Sequence, residues 1–396
     1  MKNTIKIMVS DRRPTSGILN CVYEILEKDY NVVECADADY FISGSWEPLK
    51  NARLIQDRIS IYLNTEATAP DFNLFDYAVG FDDLHFGDRY LKYLPAFMGA
   101  VGPEYMTVSD PLARRFCNFI YSNPISHPNR ELVFHKLSRN YKQVDSLGSI
   151  LKNVSFDISP RNGDWYPGNV EAKSRYKFSV AFENAYYPGY TSEKILTSYQ
   201  ARSIPIYWGN PDIHKIANPD SFINCHDYDN FDQVVEKVRE LDTNDEKYLT
   251  MLNADKGAMG TDEFFAENHT RFTSFFRNIF DQPLEKARRR PVGAAVDGHR
   301  NTLILINNLG YSDVYENQAK ELIKKNKPKE AYDKISKAIE LRPGFPDYYF
   351  IRANILYSMK DFESSMQSLS VAIQIDPSNT AYTKLMSTLQ QQIFSP

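Results

Sequence analysis

The chain has 396 residues, 42% of them hydrophobic, with 46 Lys and Arg against 51 Asp and Glu for a net charge of −5. That length holds two or three domains with cores of their own, and the acidic balance excludes a general nucleic-acid binder, whose surface must neutralise phosphates. The opening MKNTIKIMVSDRRP has too short an apolar run for a signal peptide, and no segment nears the roughly 18 apolar residues of a membrane span, so a cytoplasmic protein, at most peripheral to a membrane, is expected.

In chain order, TIKIMVS (4–10) predicts a strand and Gly17 to Lys28 a helix, followed by short strands at Asn31 to Val33, Tyr40 to Ile42 and Ile59 to Leu63. Strands alternating with helices imply an α/β layer, and residues 1–150 are expected to form one such domain. After ISIYL comes NTEATAPDFNLFDYAVGFDD, which carries Glu66; read alone, Glu66 is one of many loop acids. Residues 116–130, FCNFIYSNPISHPNR, give an apolar strand, the turn Ser122-Asn123-Pro124 and then Arg130, although by charge alone Arg139 serves equally well. Residues 151–175 are polar and predict a loop. Cys21, Cys35, Cys117 and Cys225 form no CxxC pair, so reduced thiols rather than zinc or a disulfide framework are expected.

The densest stretch is SRYKFSVAFENAYYPGYTSEKILTSYQARSIPIYWGNPD (174–212). Phe178 to Phe182 and Ile204 to Trp208 predict buried strands, and Glu193 to Arg202 a helix with one apolar face, so the unit belongs to a parallel sheet whose ligand sits where the loop leaves the first strand. Gly189 permits a tight backbone path, Thr191 or Ser192 can cap the helix, and the free N–H groups of its first turn favour an anion. Lys194 adds a positive charge there, and Glu193 can accept hydrogen bonds from sugar hydroxyls, which suits a diphosphate joined to a ribose. Spacing alone is equally met by a capped surface helix with an ordinary Glu–Lys pair.

The run FENAYYPGYTSEK followed by IPIYWGNP resembles the donor-binding signature of the α-1,3/4-fucosyltransferases, inverting enzymes that use GDP-fucose. The match lies in Phe182, Glu183, Asn184, Tyr190, Ser192, Glu193, Lys194, Pro205, Trp208 and Gly209, with Ser192 replacing the usual Thr but keeping the hydroxyl. The resemblance implies two Rossmann-like domains facing a cleft, the GT-B arrangement, with residues 151–290 as the donor domain. It implies that Glu66 is the general base, that Ser122 and Asn123 lie on the nucleotide, and that Arg130 contacts the diphosphate. With Lys194 beside Arg130 on the diphosphate, Glu193 on the ribose, and Tyr190, Asn184 and Glu183 positioning the donor, the expected reaction moves fucose to a hydroxyl of an N-acetylglucosamine-containing glycan, most simply in α-1,3 linkage with a Lewis-type product. Nothing in the loop itself separates guanine from uracil, so another nucleotide-sugar transferase stays open, as does a non-catalytic repeat protein with a vestigial sugar site.

Asp37-Ala-Asp39 and Asp227-Tyr-Asp229 are three-residue patterns that arise easily by chance, and no metal or other cofactor is expected to be essential, since Lys194, Arg130 and the helix tip can offset the leaving-group charge. Phe222 to Asn224, Phe231 to Glu240 and Asp245 to Leu252 predict the closing strand and helices. His269 to Arg290 predicts a long helix interrupted near Pro283, packing across both halves, with Arg288 to Arg290 as its solvated end. Residues 291–311, rich in Gly and small residues, predict a linker with one short strand at Leu303 to Ile306. In 312–396, Ala338, Ile339, Leu341 and Pro343 recur as Ala372, Ile373, Ile375 and Pro377, a shift of 34 residues that resembles tetratricopeptide repeats. Two repeats and a last helix fall short of an independent solenoid, so the tail is expected to lean on the catalytic body, a second subunit or a protein partner.

Overall fold

The structure, a computed structural model, describes residues 2–9, 17–44, 55, 58–93, 105–155 and 165–394. It separates into two compact units, Met1–Pro291 and Val292–Pro396. In the first unit, β1 (Thr4–Val9), β2 (Asn31–Glu34), β3 (Tyr40–Gly44), β4 (Ile59–Leu63), β5 (Tyr77–Gly80) and β6 (Tyr90–Lys92) form a parallel sheet in the order β2-β1-β3-β4-β5-β6, with α1 (Gly17–Asp29) as the first crossover. ISIYL and YAVG are buried along their whole length, which explains why they read as continuous apolar runs: both faces of a parallel sheet are covered.

A second parallel sheet contains β7 (Arg115–Phe119), β8 (Asp145–Ser146), β9 (Tyr176–Phe182), β10 (Ile204–Trp208) and β11 (Ile223–Asn224) in the order β11-β10-β9-β7-β8. Its helices are α2 (Asn129–Asn140), α3 (Trp165–Ser174), α4 (Glu193–Gln200), α5 (Phe231–Thr243) and α6 (Asp245–Asn253). Because β7 lies between β8 and β9, the chain order reverses there, and a ligand crevice is expected at the carboxyl ends of β7 and β9.

Five sequence expectations are corrected. The boundary near residue 150 is misplaced, because β7 pairs with β9, Cys117 opposite Phe178, and so belongs to the second sheet. Strand–helix alternation continues unchanged when a chain passes from one parallel sheet to the next, so its rhythm does not mark the crossing. The polar loop at 151–175 contains helix α3, with Val170, Ala172 and Lys173 buried, while 156–164 lie outside the described residues.

The long helix expected at His269 to Arg290 is α7 (Asp262–Phe280), which starts earlier because the Thr261 hydroxyl accepts the Phe264 N–H at 3.4 Å, followed by the short α8 (Leu284–Ala287). Phe280 packs edge-on against Tyr30 and Tyr40, and Phe275 against Tyr77, so this helix closes on the first sheet. Arg290 is not a solvated end: it is 5% exposed, donates to the Arg58 carbonyl at 2.7 Å and lies 3.8 Å from the Asp76 carboxylate.

The second unit overturns the linker reading. Residues 294–324 form one helix, α9 (Ala294–Lys324), and the Leu303 to Ile306 run lies within it rather than in a strand. Glycine composition misled here: two glycines, Gly298 and Gly310, are tolerated in a helix of 31 residues whose later turns pack on its successor. Helices α10 (Pro328–Leu341), α11 (Pro346–Ser358), α12 (Phe362–Ile375) and α13 (Thr380–Phe394) follow. α12 starts 34 residues after α10, and α13 keeps the same offset from α11. Ala319, Ala338, Ala353 and Ala372 are fully buried where successive helices approach.

Candidate functional site

The carboxyl ends of β9 and β10 are in register, Phe182 opposite Trp208, and each strand ends in a special residue. Gly209 has φ of +154°, and a Cβ there would lie 2.4 Å from Glu183 Cγ, so glycine is what lets Glu183 fold inward. Glu183 is fully buried. Its Oε1 accepts the Ser192 N–H at 2.8 Å, and its Oε2 accepts the Ser192 hydroxyl at 2.6 Å and the Lys194 ammonium at 3.3 Å. Glu183 therefore holds the 184–192 loop and the start of α4 through Ser192 and Lys194. Ser192 is the N-cap of α4, accepting from the Lys194 N–H at 3.5 Å and the Lys194 ammonium at 2.9 Å, while Thr191 accepts from Asn210.

The loop is braced on the first sheet. Gly189 has φ of +86°, and a Cβ would fall 2.3 Å from the Phe81 carbonyl oxygen. Tyr190 is 2% exposed with its ring 4.7 Å from that of Phe81, and Tyr187 donates to Asp82. Across this contact stands Glu66, in a tight turn after β4 whose N–H is accepted by Asn64 Oδ1 at 3.2 Å. Burial pushes the Glu66 carboxyl above its ordinary value of 4.5, with Lys194 and an Asn184 hydrogen bond pulling it back and Glu193 and Glu183 adding to the rise. One carboxylate from the first sheet thus faces four of the expected donor residues from the second.

Arg130 is 2% exposed at the first turn of α2. It lies over the Tyr121 ring at 4.1 Å, donates to the Asn123 carbonyl at 3.4 Å and to Asn184 Oδ1, and leaves its Nε without a partner. Arg139 is exposed in the last turn of the same helix, whereas Arg130 is drawn in to Asn184. Asn123 Oδ1 accepts the Ile125 N–H at 3.0 Å, holding the turn, whereas exposed Ser122 bonds Ser149 and stays outside the Glu183–Lys194 cluster. Burial works against the Lys194 ammonium, but Glu193 and Glu183 outweigh it and hold Lys194 above its ordinary range. Burial would raise Glu193; Lys194 and then Lys173 keep it low. The helix tip thus keeps both charges at neutral pH.

Sequence reasoning missed three supports. Lys173, 3% exposed on α3, donates to the Lys194 carbonyl at 3.0 Å, Thr197 Oγ1 at 2.7 Å and Ser198 Oγ at 3.1 Å, and burial pushes it down to about 7. Asn210, in the WGNP turn, accepts the Gly189 N–H at 2.8 Å. The His127 N–H donates to the Asn184 carbonyl at 2.8 Å, and its ring lies 4.6 Å from Trp208. Only Asn210, adjoining the Trp-Gly of the motif, carried a signal in sequence; Lys173 falls in the stretch that reads as a loop. Asp37 pairs with Lys6 and Asp227 with Asn224, so each Asp-x-Asp copy has a local partner, and no cluster of three His, Cys, Asp or Glu suited to a metal occurs among the described residues.

A profile described as glycosyltransferase family 10 (fucosyltransferase) C-terminal matches residues 113–276, and one for the alpha-(1,3)-fucosyltransferase FucT N-terminal domain matches 9–98. The alpha-(1,3)-fucosyltransferase FucT of Helicobacter pylori is 30% identical over 307 residues, 66% of this chain and 62% of that protein. A putative fucosyltransferase-like protein of Arabidopsis thaliana is 34% identical over 120 residues, 29% of this chain and 23% of that one. A crystal structure of an alpha1,3-fucosyltransferase aligns with a TM-score of 0.59 at 26% identity, over 74% of this chain and 94% of that one; its form with GDP-fucose gives 0.58 at the same identity and coverage. The chain spans less than two thirds of the length of these curated relatives.

Proposed function

Given that this chain belongs to glycosyltransferase family 10, the fucosyltransferases, we propose that it moves L-fucose from GDP-fucose to a hydroxyl of an N-acetylglucosamine-containing glycan, forming an α-1,3 linkage and a Lewis-type product. What supports this reading is the placement of Glu66, in the turn after β4 of the first sheet, within electrostatic reach of Asn184, Lys194 and Glu193 from the second. A carboxylate lifted by burial is a better proton acceptor, which suits a general base.

In the proposed step Glu66 takes the proton of the acceptor hydroxyl while that oxygen bonds to the anomeric carbon. The carbon–oxygen bond to the diphosphate breaks from the opposite face, and its electron pair leaves on GDP. Lys194, Arg130 and the N–H groups that open α4 meet the charge growing on the diphosphate, and removing one such donor typically costs about 10²–10³ in rate. Glu193 takes the ribose hydroxyls, Tyr190 and Asn184 fix the sugar, and Asn123 and Ser122 border the nucleotide. No metal is essential in this scheme, because fixed cations already offset the leaving group.

A panel of GDP-fucose and other nucleotide-sugars, each offered with an N-acetylglucosamine-containing oligosaccharide in excess EDTA, tests the proposal. Transfer from GDP-fucose alone, undiminished by EDTA, is expected. Preference for another donor, or activity lost in EDTA and restored by Mn²⁺, contradicts it.

A further inference from the structure

Helix α4 and strand β10 carry a second hollow at their other ends. A cavity of about 210 Å³ opens where α4 finishes and β10 begins, lined by Tyr105, Tyr199, Arg202, Ser203, Lys256 and Gly260 among others. It is several times the ~30 Å³ share of one water. The eight residues of α4 put it roughly 12 Å from the Glu193–Lys194 tip, at the end of the sheet opposite the candidate catalytic crevice.

Two features suit this hollow to a negative charge. Arg202 has φ of +52°, in the left-handed position just after the helix where glycine is the usual residue. Holding a side chain there costs roughly 1–2 kcal/mol, and such an outlier points toward a use for the side chain. Here that side chain is a guanidinium, which uses Nη2 to donate to Asn253 Oδ1 at 2.7 Å. The second feature is Lys256, which faces the same space. It donates to the Leu252 carbonyl at 2.8 Å and stands 5.3 Å from the Tyr199 ring centroid. Burial and the nearby Arg202 charge push it down to about 8, with Asp255 opposing weakly. Asp255 Oδ1 is itself occupied by the Gly257 N–H at 2.8 Å, and among the described residues neither cation has a carboxylate within ion-pair distance. Two like charges thus share one cavity with a single lining carboxylate, Asp255, that ion-pairs with neither, and the excess positive charge is what an entering oxyanion relieves.

We propose that this hollow is a second binding site, distinct from the donor crevice, which takes a small oxyanion, free or carried as the phosphate ester of a sugar, between Arg202 and Lys256 with Tyr105 as its wall. Its fork of donors suits a tetrahedral anion, and the lysine supplies the second charge.

Calorimetric titration of the full chain with sulfate, with glucose 6-phosphate and with glucose tests this. The wild type and a Lys194→Ala variant are both expected to bind one or both anions and not glucose; equal binding of the two anions marks a free-ion site, and tighter glucose 6-phosphate marks an ester site. Arg202→Gln with Lys256→Gln should weaken that binding at least roughly tenfold, since hydrogen bonds to charged groups are the stronger class. Arg202→Gly, which suits the left-handed backbone and so keeps the fold, should weaken it as well. Anion binding that survives in these variants, that is lost in Lys194→Ala instead, or that is absent from the wild type overturns the proposal.

Discussion

At the level of single residues, the tip of α4 depends on a lysine that no motif names. Lys173 is buried beneath the first turn of α4 with its ammonium shared among three acceptors, yet burial pulls its proton affinity down to about 7 from 10.5. The unfolded chain therefore binds the proton more tightly than the folded one between those values. This group's penalty on stability is full below pH 7, shrinks as pH rises, and is gone above 10.5. Lys173→Met should accordingly be most stabilised relative to wild type below pH 7, with the advantage fading toward pH 10; denaturant unfolding across that range checks it. A constant difference at every pH would mean that Lys173 keeps an ordinary affinity. The residues legible in sequence were those with unusual chemistry at fixed spacing, such as Glu193 and Lys194. Lys173 was not, because a lone lysine in a polar stretch gives no hint of the three acceptors that folding brings to it.

Among elements, the strand–loop–helix–strand unit of β9, α4 and β10 was readable because local signals agreed: apolar runs, a cap and a helical stripe. What the sequence did not reveal is why the loop keeps its shape. The Glu183 carboxylate holds Ser192 and Lys194 in place, and Gly209 leaves the room for it. Gly209→Ala places a methyl 2.4 Å from Glu183 Cγ. The variant should lose about 1–3 kcal/mol of stability, as overpacked interiors do, and bind GDP roughly tenfold more weakly as the loop shifts. Thermal unfolding and a GDP titration measure both; unchanged values in each would show that the loop does not rest on this packing. α9 taught the opposite lesson, since its glycines suggested a linker while packing in its later turns held a helix.

For the molecule as a whole, the chain's return after α8 is anchored on the first sheet of the first unit. Asp76 Oδ1 accepts the Arg289 and Arg290 N–H groups at 2.7 and 2.8 Å, and its Oδ2 accepts the Ser60 N–H at 2.8 Å, with Arg290 close by. Neither charged side chain is more than 2% exposed. Asp76→Ala leaves Arg290 buried without its acid and should destabilise the first unit by about 3–5 kcal/mol, read from denaturant unfolding. A loss under 1 kcal/mol would mean that the return strap contributes little. This tie was hidden in sequence because its partners are separated by more than 200 residues, and Arg288 to Arg290 looked like a helix end in solvent.

The central claim is that Glu66, offered by the first sheet, serves as the base toward a donor held by the second. Its most direct test is the pH dependence of kcat/KM for fucose transfer by the wild type and Glu66→Gln. The wild-type rate should climb with pH on an acid limb set above 4.5, because burial raises the Glu66 carboxyl, and the variant should lose that limb and about 10²–10⁴ in rate while still binding GDP. A variant that transfers fucose at the wild-type rate with the same acid limb would contradict the account.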